Sequence, residues 1–293
     1  MSRPHLHLAA LPERAARPSA RVLLRACRPR QWSKNLLVLA APSAAGVIDQ
    51  PRVAAEVAGA FLVLCLLASA TYLVNDVRDR EQDRLHPTKR ARPIAAGELS
   101  PRAALRSAAV LAFLGIAGAT LISPGLGAVA VGSLALTAGY SMWWRRVVVL
   151  DVLAIAAGFV LRAFAGGEAT DVYLSRWFVL VAGSGAIFLV AAKRYAELRE
   201  HDGRGGRAPV RATLRRYTGR TLRLALAAAA AIAGIAYVSW AFTRPVDEIW
   251  YGLSIAPFLL WLARYATLVG AGAGQAPEEL ILRDRTLLAL SVA

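Results

Sequence analysis

A helix needs about 20 apolar residues to cross a bilayer. On that scale the apolar stretches of this chain predict spans near Trp32–Val47, Val53–Val74, Ala103–Ile122, Leu126–Trp143, Val147–Ala165, Trp177–Ala192, Leu222–Phe242 and Trp250–Val269. A ninth begins near Thr286 and stops at Ala293, too short to cross, and reads as an incomplete last span. Helices are expected throughout because a bilayer offers no partner to an open sheet edge. The fold class that follows is an all-α polytopic membrane protein.

The polar breaks between these stretches alternate in charge. Asn75–Arg102 holds Arg78, Arg80, Arg84, Lys89, Arg90 and Arg92, and Lys193–Arg220 is again strongly basic. Between them Ser123–Gly125 carries no charge, and Gly166–Arg176 has one arginine. By the positive-inside rule, the N-terminus, the loops 75–102 and 193–221 and the Arg145–Arg146 turn are expected on the cytoplasmic side of an inner (plasma) membrane. Trp32, Trp143, Trp144, Trp177, Trp240 and Trp250 fall near span ends, as interfacial anchors do. Residues 1–20 are expected to be a mobile cytoplasmic tail and 21–293 a single transmembrane domain. Val22, Leu23 and Leu24 between arginines suggest a short interfacial helix. No short apolar core with a small-residue cleavage site marks a secretory signal.

Composition sharpens this reading. Hydrophobic residues make up 57% of the 293, yet the formal net charge is +16, and the mean hydropathy is +0.45. A soluble domain would not combine the two; a membrane protein with charged rims does. The basic excess is accounted for by those rims, and nucleic acid is not an expected partner. The two cysteines, Cys27 and Cys65, provide no disulfide framework. The four histidines stand at no ligand spacing within a rim motif, so zinc is not expected.

The strongest chemical signal is NDVRDREQD, Asn75 to Asp83, at the inner end of the second span. At about 100° per residue, Asn75, Asp76, Asp79 and Asp83 would share one arc of a helix. Carboxylates stacked that way repel one another unless a cation sits among them, and Mg2+ takes carboxylate oxygens together with substrate phosphates and water. The competing reading is a solvated helix tip paired with Arg78, Arg80 and Arg84. Next comes HPTKRARPIAAGELS, with Lys89, Arg90 and Arg92 close together. Such a loop beside a metal suits an anionic leaving group, or else is ordinary inside charge. KRYAELRE begins at Lys193; Lys193 with Glu197, and Tyr195 with Arg199, stand at i,i+4, so the helix should run on past the membrane. Glu197 and Glu200 would either contact metal or pair with Lys193, Arg194 and Arg199. Asp151 and Arg162 lie inside the fifth stretch, where charges usually line a polar cavity. Asp151 reads as a substrate or metal contact; Arg162 reads equally as structural or substrate-binding. Lys34, in RPRQWSKN, is placed to reach a phosphate.

These motifs carry a resemblance. NDVRDREQD followed by TKRARPIAAGELS resembles the UbiA superfamily of intramembrane prenyltransferases, and the likeness runs from RPRQWSKNLLVLAAP to APEELILRDR. It implies a nine-transmembrane-helix bundle around a central cavity, the ninth helix here incomplete, with Mg2+ as cofactor holding a diphosphate. RPRQWSKNLLVLAAP and KRYAEL are similar, more narrowly, to the branch that joins phosphoribosyl pyrophosphate to a polyprenyl (decaprenyl) phosphate for cell-wall arabinan precursors. The second Asp-rich motif of prenyl-diphosphate users is replaced here by KRYAELREHDG, which favours a donor with an extra phosphate.

On this resemblance Asn75, Asp76, Asp79 and Asp83 would be the catalytic metal ligands. Lys89, Arg90 and Arg92 would grip the ribose 5-phosphate or the pyrophosphate, and Lys34 and Lys193 the phosphates nearer the bilayer. Asp151, Arg162, Arg194, Tyr195 and Glu197 complete the expected substrate contacts. An aromatic prenyltransferase using an isoprenyl diphosphate is the alternative, and a transporter of an anionic lipid or metabolite the more distant one. Membrane lipid is an expected partner, and whether the chain forms a homo-oligomer is left open.

Overall fold

The computed structural model describes residues 19–144, 147–203, 217–243, 249–274 and 277–292. The expected tail before Ser19, the Arg145–Arg146 turn, Arg211, Arg215 and Arg216 of the second basic loop, and Arg244 lie outside the described residues.

Among the described residues every regular element is helical: α1 (Ala20–Cys27), a 3-10 helix (Pro29–Leu39) running into α2 (Ala40–Ala44), α3 (Pro51–Arg78), α4 (Arg80–Leu85), a 3-10 turn (Lys89–Ala91), α5 (Pro101–Ile122), α6 (Pro124–Met142), α7 (Val148–Thr170), α8 (Arg176–Gly203), α9 (Gly219–Ala241), α10 (Ile249–Leu253), α11 (Ile255–Gly270), α12 (Pro277–Arg283) and α13 (Arg285–Val292). Among the described residues, seven helices are long and apolar enough to cross a membrane, counting α10 and α11 as one. The chain is thus a multi-pass membrane protein. Proline at the first turn starts α3, α5 and α6, where its missing N–H is no loss. Ser100 and Ser123 cap α5 and α6 through their hydroxyls. Consecutive helices pack as antiparallel neighbours, α3 on α5 and α8 on α9 most extensively. Their seams are rich in alanine, for example Ala60, Ala119, Ala165, Ala192 and Ala233, all buried, which lets backbones approach closely where lipid gives helices no hydrophobic reason to associate.

The first predicted span departs from expectation. It is no α-helix but the 3-10 run Pro29–Leu39 followed by α2. Sixteen residues of α-helix would reach only about 24 Å, short of a hydrocarbon core of about 30 Å. At about 2.0 Å per residue the 3-10 portion lengthens the segment to roughly that thickness. Residues three apart then share a face: Asn35 and Val38 are buried, while Ser33 with Leu36 and Lys34 with Leu37 line a cavity. The buried face touches α7 at backbone distance. A Cβ added at Gly166 would lie 1.9 Å from the Val38 carbonyl oxygen, so only glycine fits there.

Nor is the 75–102 segment a free loop. Ile94 and Leu99 are buried with Leu73, Ala104 and Ala108, and α1 closes the same cluster with Ala26 and Cys27. The short interfacial helix expected around Val22–Leu24 is therefore α1, with Val22 and Leu23 packed inward and Leu24 exposed. Burial pushes the Cys27 thiol above its ordinary value. At the other end, α12 and α13 are tied to α11 by Arg264–Asp284 at 2.8 Å and by Trp261 donating to Ser291 at 3.0 Å.

Candidate active site

Helix α3 delivers Asn75 and Asp76 in its last turn and stops at Arg78, with Asp79 at φ −90° and ψ 6°. Helix α4 then restarts and presents Asp83. The acids therefore do not ride one uninterrupted helix face as the spacing alone suggests. The break is slight, since Asp79 N–H still donates to Asn75 O and Asp83 N–H to Asp79 O, both at 2.9 Å. Asp76 and Asp83 turn inward and are each 3% exposed. They meet at one guanidinium: Arg92 Nη1 lies 3.2 Å from Asp76 Oδ1 and 2.6 Å from Asp83 Oδ2.

A second guanidinium closes on Asp76. Arg28 donates through Nη2 to the same Oδ1, and its guanidinium also lies over the Tyr72 ring, 5.0 Å from the centroid. Its backbone is unusual: φ is +56°, although residues before proline normally adopt extended backbone. In the sequence Arg28 is one of many N-terminal arginines. Its distinguishing mark is its place immediately before Pro29, where α1 must bend into the 3-10 segment.

One cationic nitrogen in contact with both carboxylates measures how close these oxygens come. Both carboxylates therefore face a single cationic position. Among the described residues no three acidic, His or Cys side chains form a ligand cage, so Asp79 does not join Asp76 and Asp83 in a three-carboxylate site. Two carboxylates completed by phosphate oxygens and water are nevertheless an ordinary Mg2+ set. The donors fit that ion. Lys89 and Arg90 stand exposed on a short 3-10 turn above the pair. Glu81 is turned away, its carboxyl held below the usual range by hydrogen bonding to Arg80, with Arg84 adding to the effect.

A cavity of about 660 Å3 lies between the 3-10 segment, α7, α8 and α12. Its wall is apolar, with Leu37, Ile155, Phe159 and Leu189, whereas Lys34, Lys193 and Arg194 supply its charge. Arg194 is not free to move. It donates Nε and Nη2 to Asp151 Oδ2 at 3.1 and 2.7 Å and Nη1 to Glu197 at 2.8 Å. Tyr140 donates to the other oxygen of Asp151 at 2.8 Å. Nearby, burial pushes the Tyr217 hydroxyl up, with Asp151 reinforcing it. Asp151, Arg194 and Glu197 thus form one bonded unit behind the cavity wall. Tyr195 points elsewhere, into the cluster formed by Phe188, Ala192 and Tyr265.

Arg162 does not join Asp151. It donates to Asn35 Oδ1 at 3.0 Å and to Gly158 O at 2.6 Å, beside a hole of about 50 Å3 that Thr71 and Thr137 also line. Buried Asn35 in turn donates to Cys65 Sγ at 3.3 Å. Arg162 therefore ties α7 to the 3-10 segment through neutral partners.

A family model described as the UbiA prenyltransferase family matches residues 36–285. The decaprenyl-phosphate phosphoribosyltransferase of Corynebacterium glutamicum is 43% identical over 279 residues, covering 92% of this chain and 83% of that protein. The protein of the same name from Mycobacterium tuberculosis is 43% identical over 276 residues, covering 92% of this chain and 91% of its own. Among solved structures, a UbiA homolog from Archaeoglobus fulgidus bound to GPP and Mg2+ superimposes with a TM-score of 0.71 at 19% identity, covering 92% of this chain and 94% of that one. At that identity the likeness shows the fold.

Proposed function

The chain belongs to the UbiA prenyltransferase family, and with that as premise we propose that it transfers 5-phosphoribose from phosphoribosyl pyrophosphate to decaprenyl phosphate, releasing pyrophosphate. The curated relatives that span nearly the whole chain carry this activity in their names. The observation that carries the reading is the pairing of Asp76 and Asp83 around one cationic position, in a chain that also holds a large apolar cavity with Lys34, Lys193 and Arg194 on its wall. A diphosphate donor belongs at the first and a lipid phosphate in the second.

Asp76 and Asp83 would hold Mg2+, which when bound neutralises charge building on the leaving pyrophosphate; Asn75 and Asp79, on the same motif, would reach the ion only if the break at Asp79 closed. Arg92 binds the same group from the side. Exposed Lys89 and Arg90 take the 5-phosphate. The apolar cavity holds the polyprenyl chain, with Lys34 and Lys193 on its phosphate. An oxygen of that phosphate forms the new bond to ribose C1 as the bond from C1 to the pyrophosphate oxygen breaks, through a carbon with oxocarbenium character. The lipid phosphate is an anion at neutral pH and brings no proton that must be removed. The site therefore needs positioning more than a general base, which agrees with an acid–arginine rim lacking histidine at its centre. Arg194, fixed by Asp151 and Glu197, holds the cavity wall and the helix that carries Lys193. By the positive-inside rule the rim faces the cytoplasm, where a soluble sugar phosphate is available.

Membranes carrying the protein, given labelled phosphoribosyl pyrophosphate and decaprenyl phosphate, should form a lipid with the mass of a phosphoribosylated polyprenyl phosphate. Asp76→Asn and Asp83→Asn should abolish it. Full activity of either variant at limiting Mg2+ removes the metal assignment. A prenylated aromatic product in place of the phosphoribosyl lipid overturns the substrate assignment.

A further inference from the structure

Arg28 combines features that a merely structural arginine does not need. Its backbone sits in the left-handed region at φ +56° immediately before a proline, a conformation that costs about 1–3 kcal/mol for an ordinary side chain. That backbone aims the guanidinium at Asp76, which is buried, while the arginine side chain itself stays 28% exposed. Asp76 already has a second guanidinium, since Arg92 contacts the same oxygen and reaches Asp83 as well. Two arginines therefore crowd a carboxylate oxygen that a divalent cation would claim. All of them cannot hold it at once, because the cation and the guanidiniums repel one another at that distance.

We propose that Arg28 is a pyrophosphate-binding residue held in waiting on Asp76, and that it turns onto the donor's pyrophosphate when the divalent cation takes the carboxylate. The inference rests on the phosphoribosyl transfer reading of the site. Its basis is local. Arg28 stands at the hinge between α1 and the 3-10 segment, so a side-chain rotation moves its guanidinium without unpacking either element. Tyr72 provides a face along which the cation can slide, 5.0 Å from the ring centroid. A planar fork with several N–H donors suits a diphosphate better than a carboxylate that is already shared. Arg92 also contacts Asp83, whereas Arg28 has Asp76 as its one acidic partner, so Arg28 is the arm released when the cation takes that carboxylate.

Such an exchange has a signature that simple stabilisation lacks. Removing Arg28 takes away a competitor for the cation and a ligand for the pyrophosphate, so the two affinities should move in opposite directions. The measurement uses the purified full chain in lipid nanodiscs. Free Mn2+ is followed by electron paramagnetic resonance without donor, and phosphoribosyl pyrophosphate binding is measured separately at saturating Mg2+. For Arg28→Gln, Mn2+ binding without donor should tighten by about threefold or more, while donor binding should weaken by about tenfold or more, the scale of one lost charge-assisted hydrogen bond. Arg28→Gly relieves the left-handed backbone and should show the same opposed shifts, so a glutamine variant that fails to fold does not end the test. Weakening of both affinities in a folded variant, or unchanged donor binding, overturns the proposal. A wild-type protein that binds Mn2+ but not phosphoribosyl pyrophosphate would instead overturn the substrate reading on which it stands.

Discussion

The pair Asp151–Arg194 makes a quantitative demand on stability. Asp151 is 0% exposed and Arg194 2%, and the carboxylate accepts from Arg194 at 3.1 and 2.7 Å and from Tyr140 at 2.8 Å. In Arg194→Gln the buried Asp151 carboxyl loses its guanidinium partner. Breaking a buried pair this way costs about 3–5 kcal/mol. At about 2–4 °C per kcal/mol for a chain approaching this size, melting should fall by roughly 6–20 °C. Glu197 offers no rescue, being itself an anion deprived of its partner. The double variant Asp151→Asn/Arg194→Gln removes both charges and keeps an acceptor for the Tyr140 hydroxyl. Neutral replacement of a buried pair is often close to neutral in stability, so most of the loss should be recovered. Melting followed by intrinsic tryptophan fluorescence in detergent, over wild type, both singles and the double, yields the coupling energy. A double variant that melts at or below Arg194→Gln alone would refute the reasoning, as would a single that melts like wild type.

Three other outcomes follow from the packing. Gly166→Ala places a methyl 1.9 Å from the Val38 carbonyl, so the 3-10 segment must shift; a loss of about 1–3 kcal/mol should appear as a lower melting temperature. Ile155→Trp fills part of the 660 Å3 cavity and should raise KM for the polyprenyl phosphate while donor affinity, measured directly, stays unchanged. Asp284 accepts from Leu287 N–H at 2.9 Å and from Arg264 at 2.8 Å, and hydrogen bonding to Arg264 holds its carboxyl below the usual range. Its contribution is therefore intact at neutral pH and lost only as pH falls through that lowered value. Asp284→Ala should speed amide exchange across 277–292 at pH 7, and wild type should approach that behaviour only in strong acid.

Much of this architecture was legible because lipid enforces it. Spans, their boundaries and the clustering of basic residues at alternate ends come directly from the absence of water in the bilayer, and the predicted stretches from Val53 onward correspond to α3, α5, α6, α7, α8, α9 and α10–α11. The acidic motif was legible as chemistry, since NDVRDREQD places carboxylates where only a cation or arginines can reconcile them. Its geometry was not. Angular spacing assumes an unbroken helix, and the interruption at Asp79 follows from how the next segment folds back to bury Ile94 and Leu99. Arg92 reaches both acids through that same fold-back. The partners of Asp151 and Arg162 were hidden for a related reason: Arg194 is 43 positions from Asp151 and Asn35 is 127 from Arg162, and no local pattern encodes such pairings. Tyr195 shows the reverse error. It shares a motif with Lys193 and Arg194, but neighbours in sequence point to different sides of a helix.

The 3-10 segment brings these strands of the argument together. An α-helix from Pro29 would rotate successive residues by about 100°, so Asn35 and Val38 would drift apart around the axis. With three residues per turn the rows led by Ser33 and Lys34 line the cavity, while Asn35 and Val38 stack in line and bury themselves, and the Val38 carbonyl meets Gly166. Arg162 holds the middle of this row through Asn35 at 3.0 Å. Loss of that bond would let the segment relax toward α-helical winding, rotating Lys34 away from the cavity it shares with Lys193. A charge deep in the bundle thus fixes the register of Lys34 on the cavity wall.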